Sequence, residues 1–264
     1  DINALTFCLQ HSEAKVLILD SELVFFFKFL NGLNFDEVFS KHQRVAFLCS
    51  GGKDSIAALY YMKDYWDKMV VCWVNTGDLC PHVESYMQKI SQEVPNFVAS
   101  YGDVRKWHED NGWPSPIVPV DYTSYGQAVS GQKPTKVCGT YECCQANIHK
   151  PVADLVQRVG ATAVFTGARD ADELRDPRPS GAWVNGSQWF QAIGDWSDEE
   201  VFDYLRSIGI TDPRFFTDDT SIDCLSCTGY PKYIGRAEYI KQHHPQEHQE
   251  VQRRYNLIKA VIIS

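Results

Sequence analysis

Apolar and polar residues fall in blocks along this 264-residue chain. Two short runs, Val45-Ala46-Phe47-Leu48-Cys49 and Val70-Val71-Cys72-Trp73-Val74, have strand length and no polar face. That is the pattern of strands buried on both sides of a parallel sheet. Further short strands are expected at 97–100, 162–165 and 189–193. Helical periodicity fills the intervals at 54–68, 82–93 and 145–159, and again after Ser197. Ser197 stands as an N-cap, with Asp198, Glu199 and Glu200 in the first turn and Glu200 at the capping-box position. Residues 1–40 read as helical, interrupted at Asn31-Gly32 and Asn34, and the tail from Lys232 reads as mostly helical. Stretches 108–142 and 167–187 read as loops.

Strands alternating with helices predict a three-layer α/β/α architecture on an open, mostly parallel sheet with right-handed crossovers. The expected organisation is an N-terminal helical extension over 1–40, a nucleotide-binding core over 41–210, and a cysteine-bearing helical segment over 211–264 that packs with the core. Ligands of such sheets sit at the carboxyl ends of the strands. The loops after residues 49, 74 and 166 should therefore face one site.

Composition narrows the class. With 44% apolar residues the chain can bury a full core, and its net charge of −9 argues against a broad basic surface for nucleic acid. The apolar runs at 16–19 and 23–27 are split by Asp20 and Glu22 and stopped by Lys28, too short and too charged to span a bilayer. No membrane partner and a cytoplasmic location are expected. The sequence begins at Asp1, so residues beyond either end are expected.

The most informative stretch is Ser50-Gly51-Gly52-Lys53-Asp54-Ser55. It lies between a strand and a helix, the arrangement that aims free backbone N–H groups at an anion. Two glycines permit close approach of the backbone to a phosphate, and the turn can form a nest of amides. Lys53 adds a charge, Ser50 and Ser55 add hydroxyls, and Asp54 can hold Mg²⁺ against phosphates. A Walker loop is excluded, because Phe47 occupies its first glycine position and Asp54 its Ser/Thr position. The stretch resembles the SGGxDS signature of the PP-loop ATP pyrophosphatases, a Rossmann-like superfamily whose members hold or cleave adenine nucleotides at the α-phosphate.

Nine cysteines cannot form a complete disulfide framework. Cys143-Cys144 and the C-x-x-C of Cys224 and Cys227 are two pairs that together suit tetrahedral zinc or a [4Fe–4S] cluster. Cys138 is a substitute ligand or a nearby reactive thiol. Cys8, Cys49, Cys72 and Cys80 read as core residues; His243, His244 and His248 have a spacing compatible with metal binding on a helix but sit in a polar, Gln-rich tail and read as a solvated face. The two cysteine pairs resemble the cluster site of iron–sulfur adenylyl-sulfate reductases.

Other segments extend the resemblance to the phosphoadenylyl-sulfate reductase family over about residues 44–230. Asn75-Thr76-Gly77 with Pro81 and Glu84 is similar to the family's D-T-G…P-E segment. Gly167, Arg169, Arg175 and Arg178 are similar to its G-x-R…R segment, and Asp195-Trp196-Ser197 to its D-W-S segment. The resemblance implies an enzyme of sulfur metabolism that reduces sulfate activated on an adenylate, with a thioredoxin-like reductant as partner. Residues 50–55, 75–77 and 167 would bind the nucleotide; Arg169, Arg175 and Arg178 would hold the outer anion. Lys53, Asp54 and Arg169 would act in catalysis, and Cys143, Cys144, Cys224 and Cys227 would bind a [4Fe–4S] cluster, with zinc as the alternative.

Two rival readings keep the same site. One is an ATP-dependent sulfurtransferase using Mg²⁺, which adenylates a nucleic-acid or small-molecule oxygen and inserts sulfur from a donor. No cysteine follows Cys227, which favours it over the reductase. The other is a nucleotide or redox sensor. A homo-oligomer is compatible with all three.

Overall fold

A computed structural model describes residues 33–131, 137–172, 178–211, 224–230 and 234–263. The chain divides into two compact units, 1–38 and 39–264. The N-terminal helices expected over 1–32 lie outside the described residues. At the close of the first unit begins α1 (Phe35–Lys41), whose entry is fixed by the Asn34 side chain accepting the Glu37 N–H at 3.1 Å.

The second unit holds a six-stranded sheet. Its strands are β1 (Val45–Leu48), β2 (Met69–Asn75), β3 (Phe97–Tyr101), β6 (Ala163–Thr166), β7 (Ala182–Val184) and β8 (Ser187–Gln191). Their spatial order is β3-β2-β1-β6-β8-β7, all parallel except β7 against β8. The helices between them are α2 (Lys53–Tyr61), α3 (Pro81–Glu93), α4 (Val104–Asn111) and α7 (Lys150–Val159). Alternate strand residues face opposite layers. Ala46, Cys72 and Val164 pack with Leu155 and Val156 of α7 in one buried cluster. Their neighbours Phe47, Val71 and Phe165 are wholly buried, with Phe165 stacked between Phe39 and Phe190.

The structure corrects the sequence reading at three places. The helix expected over 54–68 stops at Tyr61, and Lys63–Lys68 is a tight 3₁₀ segment. Buried Trp66 donates its indole N–H to the Leu59 carbonyl at 2.8 Å, satisfying a group that the ended helix leaves open. The loop expected over 108–142 contains the end of α4, β4 (Trp113–Ser115), α5 (Ser124–Ser130) and β5 (Val137–Gly139). β4 and β5 form a separate parallel pair of three residues each, too short to leave a periodic trace. Within 167–187 the chain makes the β7–β8 hairpin through Asn185-Gly186, both at positive φ. Thr140–Cys144 follows as α6, and the chain closes with α8 (Asp198–Ser207), α9 (Ile234–His243) and α10 (Pro245–Ile263).

From β1 the chain winds outward through β2 and β3, then returns to lay β6 on the other flank of β1. Connections thus diverge between β1 and β6, which opens a crevice at their carboxyl ends. Gly167, just past β6, sits there against the first turn of α2. A Cβ on it would lie 2.6 Å from Ser55 Cα and 2.7 Å from Ser55 N. Because those are backbone atoms, the helix itself would have to move. Gly167→Ala should therefore destabilise the unit by roughly 1–3 kcal/mol, as overpacking does, read as a fall in Tm by thermal unfolding.

Candidate active site

The stretch 50–55 is a self-tied loop at that crevice. Gly51 takes φ +86, and a Cβ there would meet Val83 and Met87 of α3. The Ser55 hydroxyl donates to the Gly52 carbonyl at 2.9 Å and accepts from the Gly51 N–H at 3.1 Å. Ser50 Oγ lies 3.1 Å from Ser55 Oγ and accepts the Gly52 N–H at 3.3 Å. Both serine hydroxyls are thus used to shape the loop. Gly52 caps α2 without a side chain, so the N–H groups of Lys53, Asp54 and Ser55 have no intrahelical acceptor and define an anion-seeking end.

Beside that end lies a charged network. Lys53 Nζ reaches Asp54 Oδ1 at 2.9 Å and Asp198 Oδ1 at 2.6 Å. Arg169 is buried and meets Asp172 at 3.1 Å and Asp198 at 2.9 Å. Its Nε lies 2.9 Å from Asp54 Oδ1, although the N–H is not aimed along that line. Burial pushes the Asp54 carboxyl up, against the pull of Lys53 and Arg169. Asp198, largely exposed, is held below the usual carboxylate range chiefly by its hydrogen bond from Lys53. Asp198 opens α8, where Ser197 and Glu200 form the expected capping box and Trp196 packs edge-on to Tyr61 and Tyr204. Arg178 stands over the Trp189 ring at 5.7 Å instead, and Arg175 lies outside the described residues.

The loop after β2 carries the second half of the site. Asn75 accepts the Gly77 N–H at 2.8 Å and donates to Glu84 at 3.2 Å. Gly77 has φ +78 and no room for a Cβ against the Gly102 carbonyl, 2.5 Å away. Thr76 Oγ1 lies 3.4 Å from Cys224 Sγ. Asp78 is fully buried and accepts from both the N–H and the hydroxyl of Ser226, while Arg105 closes on its other oxygen at 2.6 Å. The C-x-x-C is thereby fastened directly to the loop that follows the phosphate-loop strand's neighbour.

Cys138, Cys143, Cys144, Cys224 and Cys227 converge, and none of them is in a disulfide. Burial raises the Cys143 thiol strongly, and the charges of Cys138, Cys227, Cys144 and Cys224 add to the rise. Burial likewise pushes Cys138 up to about 12; its thiol donates to the Gly112 carbonyl at 3.3 Å. Buried His108 places Nε2 3.3 Å from Cys143 Sγ, while Arg254 NH1 lies 3.4 Å from Nδ1. Arg254 has only donors, so Nδ1 accepts and Nε2–H faces the sulfur. Burial and then Arg254 lower His108 to about 4, so the ring is neutral at pH 7. Arg254 also donates to the Ser226 carbonyl at 3.1 Å. Cys143 and Cys144 end α6 and run into a π-helical turn, Gln145–His149, before α7. Asn147 donates to the Cys143 carbonyl at 3.0 Å, and Tyr230 OH lies 3.6 Å from Cys144 Sγ.

Sequence reasoning named the loop, the cysteines and Arg169 but not their supports. Asp78, His108 and Arg254 bear on the site from 27 to 148 residues away in most of their contacts, which no local spacing signals, whereas Asp172 lies only three residues from Arg169. Asp198 was accounted for by the helix dipole alone. A broad hollow of about 720 Å³ lies elsewhere, lined by Tyr60, Lys63, Trp66, Asp67, Glu93 and Pro95 at the far ends of α2 and α3.

Residues 44–230 match the family described as phosphoadenosine phosphosulfate reductase domain. No curated relative matches in sequence. Among solved structures, the phosphate complex of phosphoadenylyl-sulfate reductase from Candida auris is similar at 12% identity and a TM-score of 0.37, covering 78% of this chain and 85% of that one.

Two outcomes follow from the tethers. Asp78→Ala strands the buried Ser226 N–H and hydroxyl, at about 1–3 kcal/mol for each unpaired group, and should lower Tm and speed alkylation of Cys224 and Cys227. Glu250, bonded by Arg253 and by Arg254, has its pKa lowered from 4.5 to about 2, chiefly by Arg253. Its folded value lies below the unfolded one, so this stabilisation is present above about pH 4.5 and is lost as pH falls towards 2. Glu250→Gln should flatten that part of the acid limb in a stability-against-pH measurement.

Proposed function

The chain belongs to the phosphoadenosine phosphosulfate reductase family, and we propose that it reduces sulfate activated on an adenine nucleotide. One observation carries this reading: the loop after β2 is tied to the C-x-x-C by Thr76 to Cys224 and Asp78 to Ser226, and β2 pairs with β1, the strand that leads into the amide-rich loop. In this reading the phosphate and the sulfur chemistry are served from the ends of these two neighbouring strands.

The N–H groups opening α2 receive the nucleotide phosphate, with Asn75, Thr76 and Gly77 on its flank. Asp198 occupies Lys53 and Arg169 as an internal anion, and an incoming phosphate or sulfate competes with it for both cations. Lys53 then neutralises charge growing on the departing phosphate, and Arg169 offers a planar guanidinium to the outer anion. A thiolate attacks the sulfur of the adenylyl sulfate, the S–O bond to phosphate breaks, and AMP or its 3′-phosphate leaves. A thiol of a thioredoxin-like reductant attacks the S-sulfocysteine sulfur, forming a disulfide and releasing sulfite. Cys138 is a poor attacking group, since its proton is held by burial.

Cys143, Cys144, Cys224 and Cys227 would hold a [4Fe–4S] cluster. The donor set fits. Closely placed thiols that raise one another's pKa favour a cationic centre, and the His108 N–H supplies the outer-shell donor that a ligating thiolate takes. Bound there, such a cluster would supply a one-electron couple and a fixed charge.

A second reading draws on Asp54, Asp172 and Asp198, three carboxylates around Lys53 and Arg169. Oxygen donors so placed suit Mg²⁺ on a triphosphate, hence ATP cleavage to pyrophosphate and an adenylated acceptor that then takes sulfur.

Sulfite release from adenylyl sulfate or its 3′-phosphate, with thioredoxin-type reductant, tests the first reading; pyrophosphate release from Mg-ATP tests the second. The expected result is sulfite, with Lys53→Ala lowering kcat/KM by roughly 10²–10³ and Tm unchanged. Pyrophosphate without sulfite overturns it.

A further inference from the structure

Cys80, His82 and His244 stand outside the site above. The sequence reading took the cysteine as core and the histidine as part of a solvated face. In the fold, Cys80 Sγ and one ring nitrogen from each histidine all lie within 4.8 Å of one another. The donors come from two places. Cys80 precedes α3, with its carbonyl accepting the Val83 N–H at 2.9 Å, and His82 follows within the first turn. His244 is the link between α9 and α10, its N–H bonded to the Ile240 carbonyl at 2.7 Å.

Chemistry and setting are both selective. Cys80 is 1% exposed in an apolar cluster with Leu225 and Ile240, while the two histidines are half-buried. One thiol and two imidazoles are the soft and borderline donors of zinc, and they offer nothing to Ca²⁺ or Mg²⁺. The Tyr239 hydroxyl lies 3.3 Å from His82 Nδ1, the kind of outer contact that fixes a ligating ring. Simple packing accounts for the buried cysteine alone. It does not account for two polar rings, brought from 162 residues apart, turning their nitrogens to the same sulfur.

We propose that Cys80, His82 and His244 form a zinc site that clasps the α9–α10 junction to the start of α3. The fourth position is left to water. The clasp lies two residues beyond Asp78, the carboxylate that fastens the C-x-x-C, so zinc at Cys80 would steady the cysteine loop without touching it. The proposal is independent of which reaction the nucleotide site performs.

The test uses the full chain in a Cys143→Ser/Cys144→Ser background, which disables the other thiol site. Co²⁺ added as a spectroscopic stand-in should bind with one equivalent, giving tetrahedral d–d absorption and a thiolate-to-metal charge-transfer band. Zn²⁺ should displace it and raise Tm. Cys80→Ser should abolish the charge-transfer band. His82→Ala and His244→Ala, which spare the buried position, should each weaken binding by at least the roughly 10- to 100-fold that losing an outer-shell partner costs. A charge-transfer band that survives Cys80→Ser, affinity untouched by both histidine variants, or no zinc-dependent rise in Tm would overturn the proposal. If Cys80→Ser does not fold, the two histidine variants decide alone.

Discussion

The molecule depends on one close approach of backbone to backbone. Gly167, at the end of β6, lets the chain pass within van der Waals contact of Ser55 at the head of α2. Only that approach brings the α2 amides, Arg169 and α8 to one crevice. The sheet order creates the opening, since neighbouring strands β1 and β6 send their chains to opposite sides. The absence of a side chain at one position then lets the opening be lined by main chain. Everything polar in the site is arranged around that fact.

Charge is arranged with similar economy. Two cations and three carboxylates meet beside the phosphate loop, and the most exposed carboxylate, Asp198, bonds both cations. Asp54 also lies beside both, so two carboxylates stand between Lys53 and Arg169, which would otherwise repel each other in the crevice. Arg169 is buried, so its charge is worth more here than at a surface and needs those partners.

Much of this was legible in the chain. Continuous apolar runs marked β1, β2 and β6, because strands covered on both faces have no polar side to disguise them. The glycine pair between strand and helix marked the tight turn from β1 into α2. The cysteine pairs were visible because two cysteines so near in sequence are uncommon. The Asn185-Gly186 turn was also there to be read, yet β7 was taken as loop: its three residues are too few for alternation to show. The remaining misses share one cause. Asp78, His108 and Arg254 act through contacts that only the folded chain creates, and a single Asp or His in a polar stretch looks like any solvated residue. His244 is the clearest case, since the sequence grouped it with His243 and His248 on a solvated face while the fold sets its ring beside Cys80.

The π-helical turn at Gln145–His149 separates the two cysteines of α6 from the packing face of α7. Each residue advances an α-helix by about 100°, so one widened turn rotates everything before it relative to everything after. Leu155 and Val156 can therefore be set by the sheet, and Cys143 by His108, without either dictating the other's azimuth. Removing one residue from that turn would let the helix run true and swing both thiols off their heading, leaving a sound fold with a misaimed pair.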